Sequence, residues 1–97
     1  MTYRFMTPAL RELDSAAAYY ENRREGLGLQ FIAVNRKLLA RILENPRQFP
    51  AISGRLRKAG MRRFPYSIIF RVEPRLIRVV AIAHGHQRPG YWKNRLK

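Results

Sequence analysis

The apolar residues of this 97-residue chain change their period once, around Pro50-Ala51-Ile52-Ser53-Gly54, and that change limits what each half can become. Before it, Leu10, Leu13, Ala17 and Tyr20 recur at helical spacing, as do Phe31, Val34, Leu38 and Ile42. After it, the alternation is that of strands. Thr7-Pro8 marks a helix start, with Thr7 as N-cap and Pro8 at the first helical position, where a missing N–H costs nothing. Arg23 and Arg24 suit the negative end of the dipole in the last turn, and Gly26 ends the helix. A second helix reads from about Leu29 to Glu44 and stops at Asn45-Pro46. So short a connection makes the two an antiparallel hairpin.

Ahead of the hairpin, Thr2 to Met6 suits a short strand, and Gln48 to Gly54 reads as loop. Three strands follow at about Arg57 to Phe64, Tyr66 to Glu73 and Leu76 to His84, the last two joined by a tight turn at Pro74-Arg75. An even-numbered turn sets Val72 opposite Ile77, Phe70 opposite Val79, Ile68 opposite Ala81 and Tyr66 opposite Ala83, a face for the hairpin to cover. The expected fold class is α+β: an N-terminal strand, an antiparallel helical hairpin on a mainly antiparallel β-sheet, and a short C-terminal tail, in one domain spanning residues 1–97.

The same register places Arg71 opposite Arg78 on the other face, where like charges repel. The two guanidinium groups splay into water, share Glu73, or await an anion such as a phosphate or a partner's carboxylate. Ile69, Val80 and Ile82 are expected beside them, so this face is the expected docking surface for a second macromolecule. Charge points the same way. Residues 1–50 hold eight Lys and Arg against five Asp and Glu, a net of +3, whereas residues 51–97 hold twelve against Glu73 alone, a net of +11. Such asymmetry favours a polyanionic or acidic partner.

Several classes are disfavoured. The chain has no cysteine, hence no disulfide framework and no thiolate metal site. His84 and His86, two apart on an extended segment, are expected on opposite faces with no carboxylate to complete a ligand set, so neither metal nor cofactor is expected. No apolar run is long enough to span a bilayer and the N-terminus lacks a secretion signal's apolar core, which fits a cytoplasmic setting. Tyr91 and Trp92 read first as anchors of the C-terminal segment on the sheet. Lys37 and Arg41 read as a solvated helix face. No Ser-His-Asp arrangement, glycine-rich phosphate loop or paired carboxylates can be made out.

Gly26-Leu27-Gly28 with Phe31, Asn45-Pro46 with Phe49-Pro50, Arg57, Phe64-Pro65-Tyr66, Phe70-Arg71-Val72, Ala81 to His84, Arg88-Pro89 and Tyr91-Trp92 follow one another over nearly the whole chain. In order and spacing they resemble the RelE/ParE superfamily of bacterial toxins, the ParE-like branch above all. The resemblance implies the toxin of a two-gene type II toxin-antitoxin module, a plasmid-stabilisation or stress system, held inactive by a small antitoxin. It also implies a helical hairpin on an antiparallel sheet, in agreement with the fold reached from the residues.

Mechanism divides this superfamily. ParE-like members are thought to poison DNA gyrase by binding it, and the Phe-Pro-Tyr entry and Arg-Pro-x-Tyr-Trp ending look like that branch. RelE-like members cleave messenger RNA at the ribosome, for which Arg71, His86, Arg88 and Tyr91 are the candidate catalytic groups, without a metal. The arginine that RNA-cleaving relatives carry near the start of the penultimate strand falls on Ser67 here. A third reading is a non-catalytic nucleic-acid-binding module, its bases stacked on Tyr66, Tyr91 and Trp92. Candidate contacts to the target or to nucleic acid are Arg62, Arg63, Arg71, Arg78, His84, Arg88, Tyr91 and Trp92. Candidate antitoxin contacts are Ile69, Arg71, Arg78, Val80 and Ile82. The expected antitoxin is acidic, with an amphipathic helix in the groove beside the hairpin and with or without a strand added at a sheet edge. A homodimer, or a heterotetramer with the antitoxin, is compatible with this.

Overall fold

The computed structural model describes residues 1–96. Strand β1 (Thr2–Phe5) leads into α1 (Thr7–Arg23) and α2 (Leu27–Glu44). A short 3-10 turn (Pro46–Gln48) precedes β2 (Ala51–Ser53), β3 (Leu56–Gly60), β4 (Tyr66–Val72) and β5 (Leu76–His84), and another (Lys93–Leu96) follows them. The strands form one five-stranded sheet in the order β1-β5-β4-β3-β2, with β1 parallel to β5 and the other neighbours antiparallel. The α+β architecture read from the sequence is the one observed.

Helix boundaries depart from expectation for local reasons. Thr7 is not the N-cap. The Met6 N–H still bonds to the Val79 carbonyl at 2.9 Å, so strand pairing runs to Met6, which takes the cap position without a side-chain bond, and the helix begins at Thr7 itself. The buried stripe of α1 is Ala9, Leu13 and Ala16, whereas Leu10 is 45% exposed; the helix is rotated by about one residue from the expected face. Gly26 does not end α1, whose last residue is Arg23. With φ of 85° it opens α2, which starts at Leu27 rather than Leu29.

That opening turn is satisfied from outside. The Glu21 carboxylate on α1 accepts the N–H groups of Gly26 at 2.8 Å and Gly28 at 3.0 Å, two donors a helix start leaves without an internal partner. The helices approach so closely that a Cβ on Gly28 would lie 2.5 Å from the Ala17 carbonyl oxygen and 3.0 Å from Glu21 Oε1. Gly28→Ala should therefore cost about 1–3 kcal/mol, although alanine is the better helix former. Urea unfolding measures this, and an unchanged midpoint would mean that the crossing has slack.

The sheet corrects three expectations. Ala51–Ser53, read as loop, is an edge strand paired with β3 across an irregular register, and β3 stops at Gly60 rather than Phe64. In the β4–β5 hairpin, Val72 faces Ile77, Arg71 faces Arg78 and Phe70 faces Val79 as expected, but the register then shifts. Val80 is the unpaired extra residue of a bulge. Beyond it Ile69 faces Ala81, Ile68 faces Ile82 and Tyr66 faces His84, in place of the expected Ile68–Ala81 and Tyr66–Ala83 pairs. Ile82 thereby moves to the helix-covered face, where it joins Phe31, Leu39, Ile42, Ile68, Phe70, Ile77 and Val79 in the main core. Leu56, Ile69, Val80, Ala81 and Ala83 form a second apolar layer, packed by Met6, Tyr91, Trp92 and Leu96.

Candidate functional site

The sheet face away from the helices, expected to be open for a partner, is occupied by the chain's own C-terminal segment. Ile69 and Val80 have no exposed surface, and Ile82 lies 1% exposed in the other core. Of the residues assigned to antitoxin binding, these three are unavailable in this conformation, because Tyr91, Trp92 and Leu96 cover the first two and the bulge turns the third inward. Tyr91 and Trp92 act as anchors, in accord with their first reading.

Arg71 and Arg78 share Glu73. Arg71 Nε donates to Glu73 Oε2 at 3.0 Å, Arg78 Nε to the same oxygen at 2.9 Å, and Arg78 Nη2 to Oε1 at 3.2 Å. The hydrogen bonds from Arg78 and then Arg71 hold the Glu73 carboxyl down at about 2. Arg4 pairs in register with Arg78, which extends the arginines across three strands.

The candidate groups for RNA cleavage do not all converge: Arg88 and Tyr91 share one turn, the Tyr91 N–H on the Arg88 carbonyl at 3.3 Å, but Arg71 stands apart from them. Arg71 lies level with Arg78 and His84 level with Tyr66. Five steps of β4, from Tyr66 to Arg71, separate those two levels, roughly 17 Å at the strand rise. The Tyr91 hydroxyl donates to Glu12 Oε2 at 2.7 Å, and burial followed by that bond raises its pKa. Arg88 and His86 are exposed on the connection after β5. His84 and His86 are not on opposite faces: residues two apart on a strand share a face, and as the chain turns after His84, His84 Nδ1 accepts the His86 N–H at 2.9 Å and the rings meet edge to face at 5.2 Å.

Arg62 and Arg63 have a setting the sequence did not reveal. With Lys37 and Arg41 of α2 they rim a groove of about 230 Å³ whose apolar lining is Val34, Leu38 and Met61. Lys37 and Arg41 are exposed, as expected of a solvated helix face, and also border this groove. Arg63 Nη2 donates to Gln30 Oε1 at 2.7 Å, which fixes one rim cation over the helix. The approach of α2 to the end of β3 creates this groove, and although its cations and the apolar helix positions Val34 and Leu38 were legible beforehand, their meeting was not. An apolar floor ringed by four cations suits an amphipathic segment bearing carboxylates.

Among the described residues, no helix is long and apolar enough to cross a membrane, and no group of three or more His, Asp or Glu could hold a metal ion.

Residues 3–89 match the family model described as "ParE toxin of type II toxin-antitoxin system, parDE". Among solved structures, a chain of the chromosomal ParDE toxin-antitoxin system from P. aeruginosa superposes with a TM-score of 0.73 at 20% identity, covering 87% of this chain and 95% of that one. No curated protein matches significantly.

Proposed function

The chain belongs to the ParE toxin family of type II toxin-antitoxin systems, and on that premise we propose that it arrests growth by binding DNA gyrase, with no bond-making of its own, until an acidic antitoxin segment occupies it. The observation that carries the binding reading is that Arg71 stands apart from the other candidate catalytic groups while the Tyr91 hydroxyl is already engaged. Arg71 is committed to Glu73, at the opposite end of the β4–β5 ladder from His84, and the Tyr91 hydroxyl is engaged by Glu12. General acid-base cleavage of a phosphodiester needs such groups within hydrogen-bond reach of one phosphate. Exposed Arg62, Arg63 and Arg88 remain as target contacts. With the outer sheet face covered, the groove of Val34, Leu38 and Met61 between Lys37, Arg41, Arg62 and Arg63 is the antitoxin seat in this reading. Charge complementarity favours it there.

The test is expression of the chain without its antitoxin, with plasmid topology and transcript 5′ ends followed together. Loss of supercoiling with intact transcripts is the expected result. New breaks within codons, abolished by His86→Ala or Arg88→Ala, would establish the messenger-RNA nuclease instead. In a second arm, Lys37→Glu with Arg41→Glu should prevent rescue by the co-expressed antitoxin while growth arrest persists. Full rescue of that double variant would place the antitoxin elsewhere.

A further inference from the structure

Arg47, Arg55 and Arg57, which no assignment above uses, meet at one end of the sheet. Together with Ala51, Gly54 and Val72 they line a recess of about 270 Å³. Each arrives by a different route. Arg47 comes from the 3-10 turn after α2. Arg55 follows Gly54, whose φ of 56° lets the chain reverse between β2 and β3. Arg57 stands opposite Phe70 on the helix-side face of β3, and its Nη1 donates to the Phe49 carbonyl at 2.6 Å. That bond fixes one guanidinium at the recess and leaves its other N–H groups to donate elsewhere.

Unlike the Arg71–Arg78 pair and Arg95, the recess lacks a counter-charge. Arg71 and Arg78 have Glu73, and Arg95 has Glu12. Among the described residues no ion pair involves Arg47, Arg55 or Arg57, and no carboxylate lines the recess. Gathering three cations without an anion leaves a repulsion that a bound anion removes. A single tetrahedral anion fits the space, and guanidinium forks match its oxygens two at a time.

We propose that the Arg47–Arg55–Arg57 recess binds one phosphate group, carried on a nucleic-acid backbone or on a small phosphate-bearing anion. This site is distinct from the groove of α2 and does not depend on which target the toxin has.

The experiment follows the Arg57 Nε–H resonance of the full chain while inorganic phosphate and, separately, a short single-stranded oligonucleotide are added, with chloride as the ionic-strength control. Phosphate and oligonucleotide should each move it saturably, and Arg47→Gln with Arg55→Gln should weaken both by about tenfold or more. The double variant leaves Arg57 and its bond to Phe49 in place, so a folding defect is not expected. Tighter binding of the oligonucleotide, with a salt slope reduced by roughly 0.7 in the double variant, identifies a backbone phosphate. Equal affinity for both probes identifies a small-anion site. A resonance that stays still, that chloride moves equally, or that titrates unchanged in the double variant overturns the proposal.

Discussion

Replacing Phe31 by alanine should destabilise the chain by about 3–5 kcal/mol, a large share of the net stability of a domain this size. The ring has no exposed surface and ties four parts of the fold together. From α2 it meets Tyr20 of α1 at 5.4 Å between centroids, Phe64 of the β3–β4 connection at 5.1 Å and Tyr66 of β4 at 5.1 Å. Tyr20 and Phe64 also contact one another at 4.7 Å, so deleting Phe31 opens a cavity between rings that support each other. The surrounding groups have little freedom to collapse into it, because Gly28 holds α2 against the Ala17 carbonyl only one turn away. Phe49 offers the contrast: it lies near the core margin, is 9% exposed and meets only Phe70 edge to face, at 6.1 Å, among the described aromatic pairs. Phe49→Ala should accordingly cost less. Urea unfolding of the two variants checks the order, and a Phe31→Ala loss no larger than that of Gly28→Ala would remove this cluster from the centre of the fold.

Phe31 was legible in the sequence because helical periodicity depends on a pattern repeated over many residues, and so was the alternation that defines β4 and β5. Single-residue events were not. The bulge at Val80 adds one residue to one strand, and nothing in Ile-Arg-Val-Val-Ala-Ile-Ala distinguishes it from a regular run, yet it moves Ile82 from one face to the other. Edge strand β2 has three exposed residues and no alternation, so Ala51–Ser53 looked like the loop around it. The site followed the same division. The basic bias was plain and the sharing of Glu73 by Arg71 and Arg78 was one of the readings, but tertiary pairing decides which cations border an apolar groove and which stand without an acid. The role of Glu12 left no local trace at all, since its partners lie about seventy and eighty residues away along the chain.

Glu12 accounts for how the outer sheet face stays closed, and Glu12→Ala should both destabilise the fold and loosen the C-terminal segment. β1 pairs with β5 only as far as Val79, which leaves the edge beyond it without a neighbouring strand. Side chains take over there. Glu12 Oε1 accepts the Ile82 N–H at 3.0 Å, Arg95 Nη1 donates to the Val80 carbonyl at 2.9 Å, and Arg95 grips both Glu12 oxygens at 2.9 Å while Tyr91 bonds Oε2. One carboxylate thus ends the sheet and anchors the segment that covers Ile69 and Val80. Its removal strands an arginine, a hydroxyl and a backbone N–H together. With the Arg95 and Glu12 side chains still 18% and 20% exposed, the cost is set at about 2–4 kcal/mol, below the full penalty of a buried pair. Burial by itself would raise the Glu12 pKa, but the bonds from Arg95, Tyr91 and Ile82 outweigh it and the group lies below its ordinary value. Glu73 is lowered as well, from 4.5 to about 2. For carboxyls lowered by folding, the stabilisation is full above the unfolded value near 4.5 and is lost as pH falls through the folded values, toward about 2 for Glu73. Wild-type stability should therefore decline across that window, and Glu12→Ala should decline less steeply because one contribution is already gone. The chain's single tryptophan, Trp92, sits on the segment in question and reports on it separately from global unfolding. In Glu12→Ala its emission should shift to longer wavelength at urea concentrations where helical circular dichroism is still native, as the ring leaves the sheet. If emission and circular dichroism changed together at the wild-type midpoint, the carboxylate would not be what holds the segment down, and ring packing alone would have to explain its position.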